Sequence, residues 1–413
     1  MVGREVDSPG ENGRVSNSVY LDHAATTPVL PEAVEAFTRE VTQLGNPSSL
    51  HSRGRSARAS LETAREQVAA ALNAEPAEVI FTSGGCESDS LAVVGSALAA
   101  RSAQASRPRV LISAVEHPAV LEAAQVLSDR HGFEVTRLPV DSTGVLDLSA
   151  LEAELTGASE EVALVSVMWA NNETGAIQPI AQVVEQARRS GGAAIAVHSD
   201  AVQAVGHLPI DFAGSDLDAL SLSGHKFGAP IGIGALVAQR TLPLAPTVFG
   251  GGQERGIRSG TVPVALAVSL AAALEVSVAR LESERLRLTA LREELAARIL
   301  AEIPQARRNG PGGEGVLPGH LHVTIPGVDV DALLFGLDSW GVAASAGSAC
   351  AAGVTQPSGV LIAMGDSEDL ARSVLRLTLG HTSTQADVDR LIAVLPDVVE
   401  RARAAGAVAA RRR

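Results

Sequence analysis

Leu217-Asp218-Ala219-Leu220-Ser221-Leu222-Ser223-Gly224-His225-Lys226 is an apolar run that ends in a polar turn and a lysine. The run from Leu217 to Leu222 has the length and composition of a buried strand. A lysine at the end of a buried strand is poorly solvated. Desolvation lowers its pKa and makes its amine a candidate for Schiff-base chemistry. Read alone, Lys226 is more simply a side chain whose stem is buried and whose head reaches water.

Outward from this run the same alternation repeats. Arg55 to Leu72 has the pattern of an amphipathic helix and Val79 to Thr82 that of a strand. Leu91 to Ala100, His117 to Leu127 and Ile180 to Arg189 read as helices; Val110 to Ser113, Val162 to Val167 and Ala194 to Val197 read as strands. Helices alternating with short apolar strands predict an α/β fold whose mostly parallel sheet is covered on both faces. Ligands in such sheets bind outside the carboxyl ends of the strands. Beyond residue 240 the pattern changes. A charged helix is expected from about Ala279 to Leu300, followed by strands at Leu321 to Ile325 and Val374 to Leu379 and helices at Val330 to Leu337 and Gln385 to Glu400. These form a second, smaller α+β unit, with a boundary near residue 280. Thr384 and Asp387 have capping-box spacing for the last helix. The Gly- and Pro-rich stretch 310–319 is expected as a surface loop.

The chain has 413 residues, 46% of them hydrophobic but only 2% aromatic, so its core must be built from Ala, Val, Leu and Ile. A net charge of −14 argues against a nucleic-acid surface, and the terminal Arg411-Arg412-Arg413 is too short to reverse this. No run of about 18 uninterrupted apolar residues suggests a membrane span. Residues 1–17 are polar, lack the apolar stretch of a signal peptide, and are expected to be disordered. Two cysteines, Cys86 and Cys350, cannot build a disulfide framework and fit a reducing cytoplasm.

Several polar motifs follow predicted strands. Phe81-Thr82-Ser83-Gly84-Gly85-Cys86-Glu87-Ser88 has the form of a phosphate cradle, with glycines that admit an anion and a helix start that supplies free N–H groups; it is also an ordinary strand–helix connection. Val197-His198-Ser199-Asp200-Ala201-Val202-Gln203 puts an acid at a strand end, where it serves a pyridine nitrogen or caps a helix. Asn171-Asn172-Glu173-Thr174-Gly175 is a polar turn. His117 is a candidate for ring stacking or proton transfer, and otherwise a satisfied polar residue. Gly250 to Thr261 is a Gly-rich basic loop or a flexible connector. Arg376, in a β-like run, is a candidate bidentate clamp for a carboxylate, or a surface ion pair. Cys350 sits in the small-residue stretch Ala346 to Gly353, where a thiol is reachable; the plainer reading is an inert buried thiol. Taken together, Lys226 and Cys350 suggest an amine that anchors pyridoxal phosphate (PLP) and a thiol that takes an atom from the bound substrate.

In joint order these motifs resemble the NifS/IscS-type cysteine desulfurases, class V aminotransferase-family members of the fold-type I PLP enzymes. The resemblance runs from Tyr20-Leu21-Asp22-His23-Ala24-Ala25-Thr26-Thr27-Pro28 to about Arg401. Its anchors are Ser223-Gly224-His225-Lys226, Asn171-Asn172-Glu173, the Gly250 to Thr261 loop, and Ser348-Ala349-Cys350 followed by Pro357-Ser358. It implies a large PLP-binding domain (30–280) with a mostly parallel seven-stranded sheet, and a small domain made of 18–29 and 281–413 that carries the Cys350 loop at about 345–358. It implies that Lys226 forms the Schiff base, that Asp200 faces the pyridine nitrogen, that Gln203 meets the ring hydroxyl and that His117 stacks on the ring as acid or base. Gly85, Cys86, Ser223 and His225 would hold the phosphate, with Thr261 reaching that of the second subunit of a homodimer. Asn172 and Arg376 would grip the substrate carboxylate, with Asn172 also binding the cofactor. Cys350 would be the nucleophile that removes sulfur from L-cysteine, leaving L-alanine and a persulfide for a sulfur-acceptor protein in iron–sulfur assembly or thiolation. No metal is implied. Selenocysteine lyase, PLP aminotransferase and a catalytically silent scaffold are the alternatives. Two departures stand out. Cys86 replaces the usual threonine, and Phe227-Gly228-Ala229-Pro230 alters the usual aromatic-Gly-Pro spacing. The C-terminus lacks the family's scaffold-docking tail, so a different acceptor or docking surface is expected.

Overall fold

A seven-stranded sheet forms the centre of the molecule, in the order Val79–Thr82, Gly234–Ala238, Ala219–Ser223, Ala196–Asp200, Val162–Ser166, Arg109–Ser113, Glu134–Leu138. The computed structural model describes residues 18–104, 107–191, 194–347, 350–351 and 354–410, and only the backbone of 350–351, 354–355 and 409–410. Within the sheet only Gly234–Ala238 runs against its neighbours. The inner strands are buried along their whole length, as expected where helices cover both faces of a parallel sheet. That is why they are legible as continuous apolar runs. The edge strand Glu134–Leu138 carries exposed Glu134 and Arg137 and was not expected; charge on an edge strand blocks pairing with another chain. Gly234–Ala238 was likewise missed. The strand expected at Ala194 to Val197 lies two residues later, at Ala196–Asp200, which makes Asp200 its last residue. The reading of residues 1–17 lies outside the described residues.

The charged helix expected from Ala279 begins instead at Val264 and continues unbroken to Glu302. Its first half packs Ala267, Leu270, Ala271 and Leu274 into the core beneath the central sheet. Its second half packs Leu288, Leu291, Leu295 and Ile299 into a separate core with the antiparallel strands Arg307–Asn309, His320–Thr324 and Val374–Thr378. One helix therefore serves two cores, and no loop separates them near residue 280. Val264–Glu302 is also the one helix among the described residues that is long and apolar enough to cross a membrane by length and composition. Here that surface is used against the helices Pro31–Val41 and Ser52–Ala71.

The N-terminal segment returns to the second core, with Val19–Tyr20 pairing in parallel with Val342–Ala343. The second half of the 310–319 stretch is buried, not a surface loop. Arg292, itself buried, donates to the carbonyl of Leu317 at 2.8 Å, which satisfies backbone that has no strand partner. At the start of the last helix Asp387 Oδ2 accepts from the Thr384 N–H at 2.7 Å and from its hydroxyl at 2.9 Å.

The Gly250 to Thr261 loop is anchored rather than flexible. Buried Glu254 accepts both guanidinium arms of Arg65 at 2.8 Å and the Phe81 N–H at 3.1 Å. Removing Arg65 would strand a buried carboxylate, a loss of about 3–5 kcal/mol. Arg65→Ala is therefore expected to unfold at clearly lower urea than wild type, with Arg65→Lys in between because one ammonium cannot replace a two-armed fork.

Candidate active site

The parallel strands deliver their polar ends to one edge of the sheet. Ala196–Asp200 ends on Asp200, and Ala219–Ser223 runs into the short turn Gly224–Lys226. Val79–Thr82 leads to the helix start at Gly85, and Arg109–Ser113 leads to His117, the N-cap of Pro118–His131. Between them lies a cavity of about 410 Å³. Lys226, Asp200, His117, Gln203, Gly85, Cys86, Ser223, His225, Asn172 and Arg376 all line it. Thr261 is exposed and is not part of this lining.

Lys226 Nζ donates to the carbonyls of Ala24 at 2.6 Å and Ala25 at 3.0 Å. Gln203 Nε2 donates to the same Ala24 carbonyl at 3.0 Å. Burial, then the nearby Arg376 charge, lower the Lys226 pKa to about 8, against the opposing pull of Asp200 and Asp22. The neutral amine is the nucleophile, so its fraction grows as pH rises through that value. The rate at which cofactor-free protein takes up PLP should therefore rise with pH around 8. A rise centred near 10.5, the value of an ordinary lysine, would contradict the buried setting.

Asp200 is buried, and its Oδ1 accepts from the Val202 N–H at 2.9 Å. The turn-capping role and the strand-end placement thus coexist. Desolvation raises its pKa to about 6, while the Val202 bond and the Lys226 charge oppose the rise. A buried carboxylate held by so little is costly unless a cationic or N–H partner arrives. His117 Nδ1 accepts from the Ala119 N–H at 3.1 Å, which leaves Nε2 as the ring's remaining polar atom. Burial, then Lys226, lower its pKa to about 4, so the ring is neutral near pH 7. Ligand-type atoms of Asp89, His117 and Asp200 all lie within 4.8 Å of one another.

Arg376 is buried in the strand Val374–Thr378, which rules out a surface ion pair. One arm donates to the Asn172 carbonyl at 3.0 Å, the other to Asp22 Oδ1 at 2.7 Å, and Nε has no hydrogen-bond partner. Asn172 thus meets Arg376 through its backbone.

The donor set fits PLP. Gly85 is packed so closely that a Cβ there would lie 2.8 Å from Val202 Cγ2. The turn is thus reserved for bare backbone, beside Ser223, as an anion cradle requires. Lys226 supplies an amine whose pKa is lowered to about 8, and Asp200 a buried carboxyl whose Oδ1 is held by the Val202 N–H.

Sequence reasoning missed two buried acids here. Asp89 Oδ1 has no hydrogen-bond partner, and Glu116 Oε1 accepts from the Met168 N–H at 2.7 Å. Desolvation raises both carboxyls well above their usual range. Asp89 stands four residues after Gly85, one helical turn on, and that spacing was its signal. The Asp22 partner of Arg376 carried no local signal. Of the Cys350 segment the structure describes Cys350–Ala351 pairing antiparallel with Val354–Thr355. The Cys350 side chain, with Ser348 and Ala349, lies outside the described residues.

Comparison with known proteins gives the lineage. The aminotransferase class-V family model matches residues 19–391. An IscS-like cysteine desulfurase of Mycobacterium tuberculosis is 51% identical over 391 residues, covering 95% of this chain and 98% of that one. A solved NifS-like protein aligns with TM-score 0.84 at 32% identity, covering 93% of this chain and all of the other. A structure of SspA in complex with cysteine aligns with TM-score 0.74 at 32% identity, over 88% of this chain and 99% of that one. With the family matched over nearly the whole chain and the cavity in place at the carboxyl edge of its sheet, the protein belongs to the class-V aminotransferase family, among its NifS/IscS-type cysteine desulfurases.

Proposed function

We propose that this chain removes the sulfur of L-cysteine as a persulfide on Cys350 and releases L-alanine, using PLP held in the cavity by Lys226, Asp200, Gln203, His117 and the Gly85–Cys86 turn with Ser223 and His225. The observation that carries this reading is the convergence of an amine, an acid and a guanidinium, Lys226, Asp200 and Arg376, on one cavity. When bound, PLP supplies an electron sink for the charge left on the substrate as its bonds break. Asp200 would keep the pyridine nitrogen of bound PLP protonated. Lys226 Nζ, uncharged at a useful fraction near neutral pH, takes the Cα proton. Arg376 exchanges a neighbour for the substrate carboxylate, and its unpartnered Nε adds a donor to that contact. The Cys350 thiolate attacks the substrate sulfur, an S–S bond forms and the C–S bond breaks. Its electron pair stays with the substrate carbon, which takes up a proton to become the methyl group of alanine. His117, neutral and in contact with the cavity, is placed to pass protons. We assign Thr261 to the cofactor phosphate of a second copy, and so a homodimer; a sulfur-acceptor protein discharges the persulfide, in a reducing cytoplasmic setting.

The test is a turnover assay with L-cysteine and PLP that measures alanine and maps sulfur adducts by mass spectrometry. Alanine with an adduct on the Cys350 peptide supports the reading; PLP bound without either discards it. Arg376→Lys should raise KM for L-cysteine about 10- to 100-fold with a smaller effect on kcat, because a charge-assisted two-armed contact is worth roughly 1.5–3 kcal/mol and an ammonium keeps only part of it.

A further inference from the structure

The turn at Asn171–Gly175 brings an acid to the substrate end of the cavity that the steps above do not use. Glu173 is 7% exposed and borders the cavity beside Arg376. Its backbone is fixed: Asn171 Oδ1 accepts from the N–H groups of Glu173 and Thr174, both at 2.9 Å, and Asn171 Nδ2 donates to the Val115 carbonyl at 3.0 Å. A buried carboxylate must be satisfied or it is expensive, so its partners show its use. Glu173 Oε2 accepts from the Ser358 hydroxyl at 2.5 Å. Burial raises the Glu173 pKa, opposed first by this hydroxyl and then by the Arg376 charge.

Ser358 is itself buried. It caps the helix Gly359–Ala363 by accepting from the Leu361 N–H at 3.1 Å, and its own N–H donates to the Ala371 carbonyl at 2.9 Å. It is thus a fixed point on the C-terminal side of the segment that carries Cys350. On the other side, Ser345 and Arg376 exchange two backbone hydrogen bonds, of 2.6 and 3.3 Å. Two residues on, Gly347 has φ +86° and lies so close that a Cβ there would be 3.3 Å from Glu173 Cγ and 3.5 Å from Arg376 Cδ. The first root of the segment therefore rests on Glu173 and on the strand that holds Arg376, and the second on Glu173 and on the helix Glu368–Arg372. A helix cap does not itself need such an acid. Ser367 caps the neighbouring helix Glu368–Arg372 from an exposed position by accepting from the Leu370 N–H.

We infer that Glu173 is a positioning residue for Cys350: through Ser358 on one side and Gly347 on the other, it fixes the roots of the Cys350 segment relative to Arg376, so that the thiol is registered against a substrate whose carboxylate Arg376 holds. This rests on the sulfur-transfer reading above, and it predicts a defect confined to the transfer step.

The experiment uses PLP-loaded protein and two readouts. The change in visible absorption on mixing with L-cysteine reports substrate binding, and mass spectrometry of the Cys350 peptide over time reports persulfide formation. Ser358→Ala should keep the half-saturating L-cysteine concentration within about twofold while persulfide formation slows tenfold or more. The other cap variant, Ser367→Ala, should change neither. Glu173→Ala should behave as Ser358→Ala, whereas Glu173→Gln, which retains a carbonyl acceptor for the Ser358 hydroxyl, should recover to within about threefold of wild type. Wild-type persulfide rates in Ser358→Ala, a parallel loss of binding and transfer, or a Gln variant as slow as the Ala variant would overturn the inference. Absence of persulfide on Cys350 in wild type would instead overturn the sulfur-transfer reading, and this inference with it.

Discussion

Lys226→Ala is expected to lower alanine formation by roughly 10⁴-fold or more, because one side chain is assigned two jobs that are each worth several orders of magnitude. The first is covalent. Nζ is the amine that reaches the cavity, and burial has already brought its pKa to about 8. The second is proton transfer at the substrate Cα, for which a base with a pKa near the working pH is best matched. The geometry separates the loss of these roles from general damage. Nζ is held by the carbonyls of Ala24 and Ala25, and these face the cavity whether or not the amine is present, so truncation leaves room and acceptors for a small cation. Added methylamine should therefore restore part of the activity of Lys226→Ala, in proportion to its concentration. It should not restore Lys226→Arg, whose guanidinium fills the space, stays charged at any working pH and cannot act as a base. Alanine quantified against methylamine concentration is the measurement. Wild-type rates in Lys226→Ala without added amine would remove Lys226 from the mechanism.

The sheet was legible because its inner strands are buried on both faces and read as apolar runs. The edge strand Glu134–Leu138 was not, because an edge is selected for charge and turns. The placement of the polar motifs followed from topology alone: a ligand site at the carboxyl ends of parallel strands needs no knowledge of the ligand. Lys226, Asp200 and His117 each had an ordinary local reading, and only their convergence across strands far apart in sequence decides between the readings. The register error at Ala196–Asp200 mattered little, since the acid still fell at the strand end. What was not legible depends on contacts across large sequence separations. The Arg376–Asp22 pair joins residues 354 positions apart and the Glu173–Ser358 bond residues 185 apart. Nothing local marks Asp22 or Ser358 as partners. The boundary expected near residue 280 falls inside a helix rather than in a loop, and the reason is physical. The charged stretch after Ala279 is the solvated face of a helix that begins fifteen residues earlier, at Val264, in a run of Ala, Val and Leu. Composition changes there because the helix passes from one core to the other.

Cys350→Ser should abolish the sulfur adduct and lower alanine formation by about 10³-fold or more, while PLP uptake and the spectral response to L-cysteine persist. The attacking group must be an anion at neutral pH and must form a bond to sulfur. An ordinary thiol, with a pKa near 8.5, is a few per cent thiolate at pH 7, whereas a serine hydroxyl is essentially never ionised there. The substitution changes one atom and keeps the size of the side chain, and the antiparallel pairing of Cys350 with Thr355 is made by the backbone, so the local fold is not at stake. The chain contains its own internal comparison. Cys86 is the other cysteine and lines the cavity. Its thiol is pushed above its ordinary value by burial and then by the carboxylates Asp89 and Asp200, with Lys226 opposing. Desolvation and the two acidic neighbours disfavour the thiolate and make Cys86 a poor nucleophile despite its place in the cavity. The adduct in wild type should therefore map to the Cys350 peptide and not to the Cys86 peptide, and Cys350→Ser should not shift it there. An adduct on Cys86 in either protein would mean that closeness outweighs ionisation in this cavity, and the nucleophile would have to be reassigned.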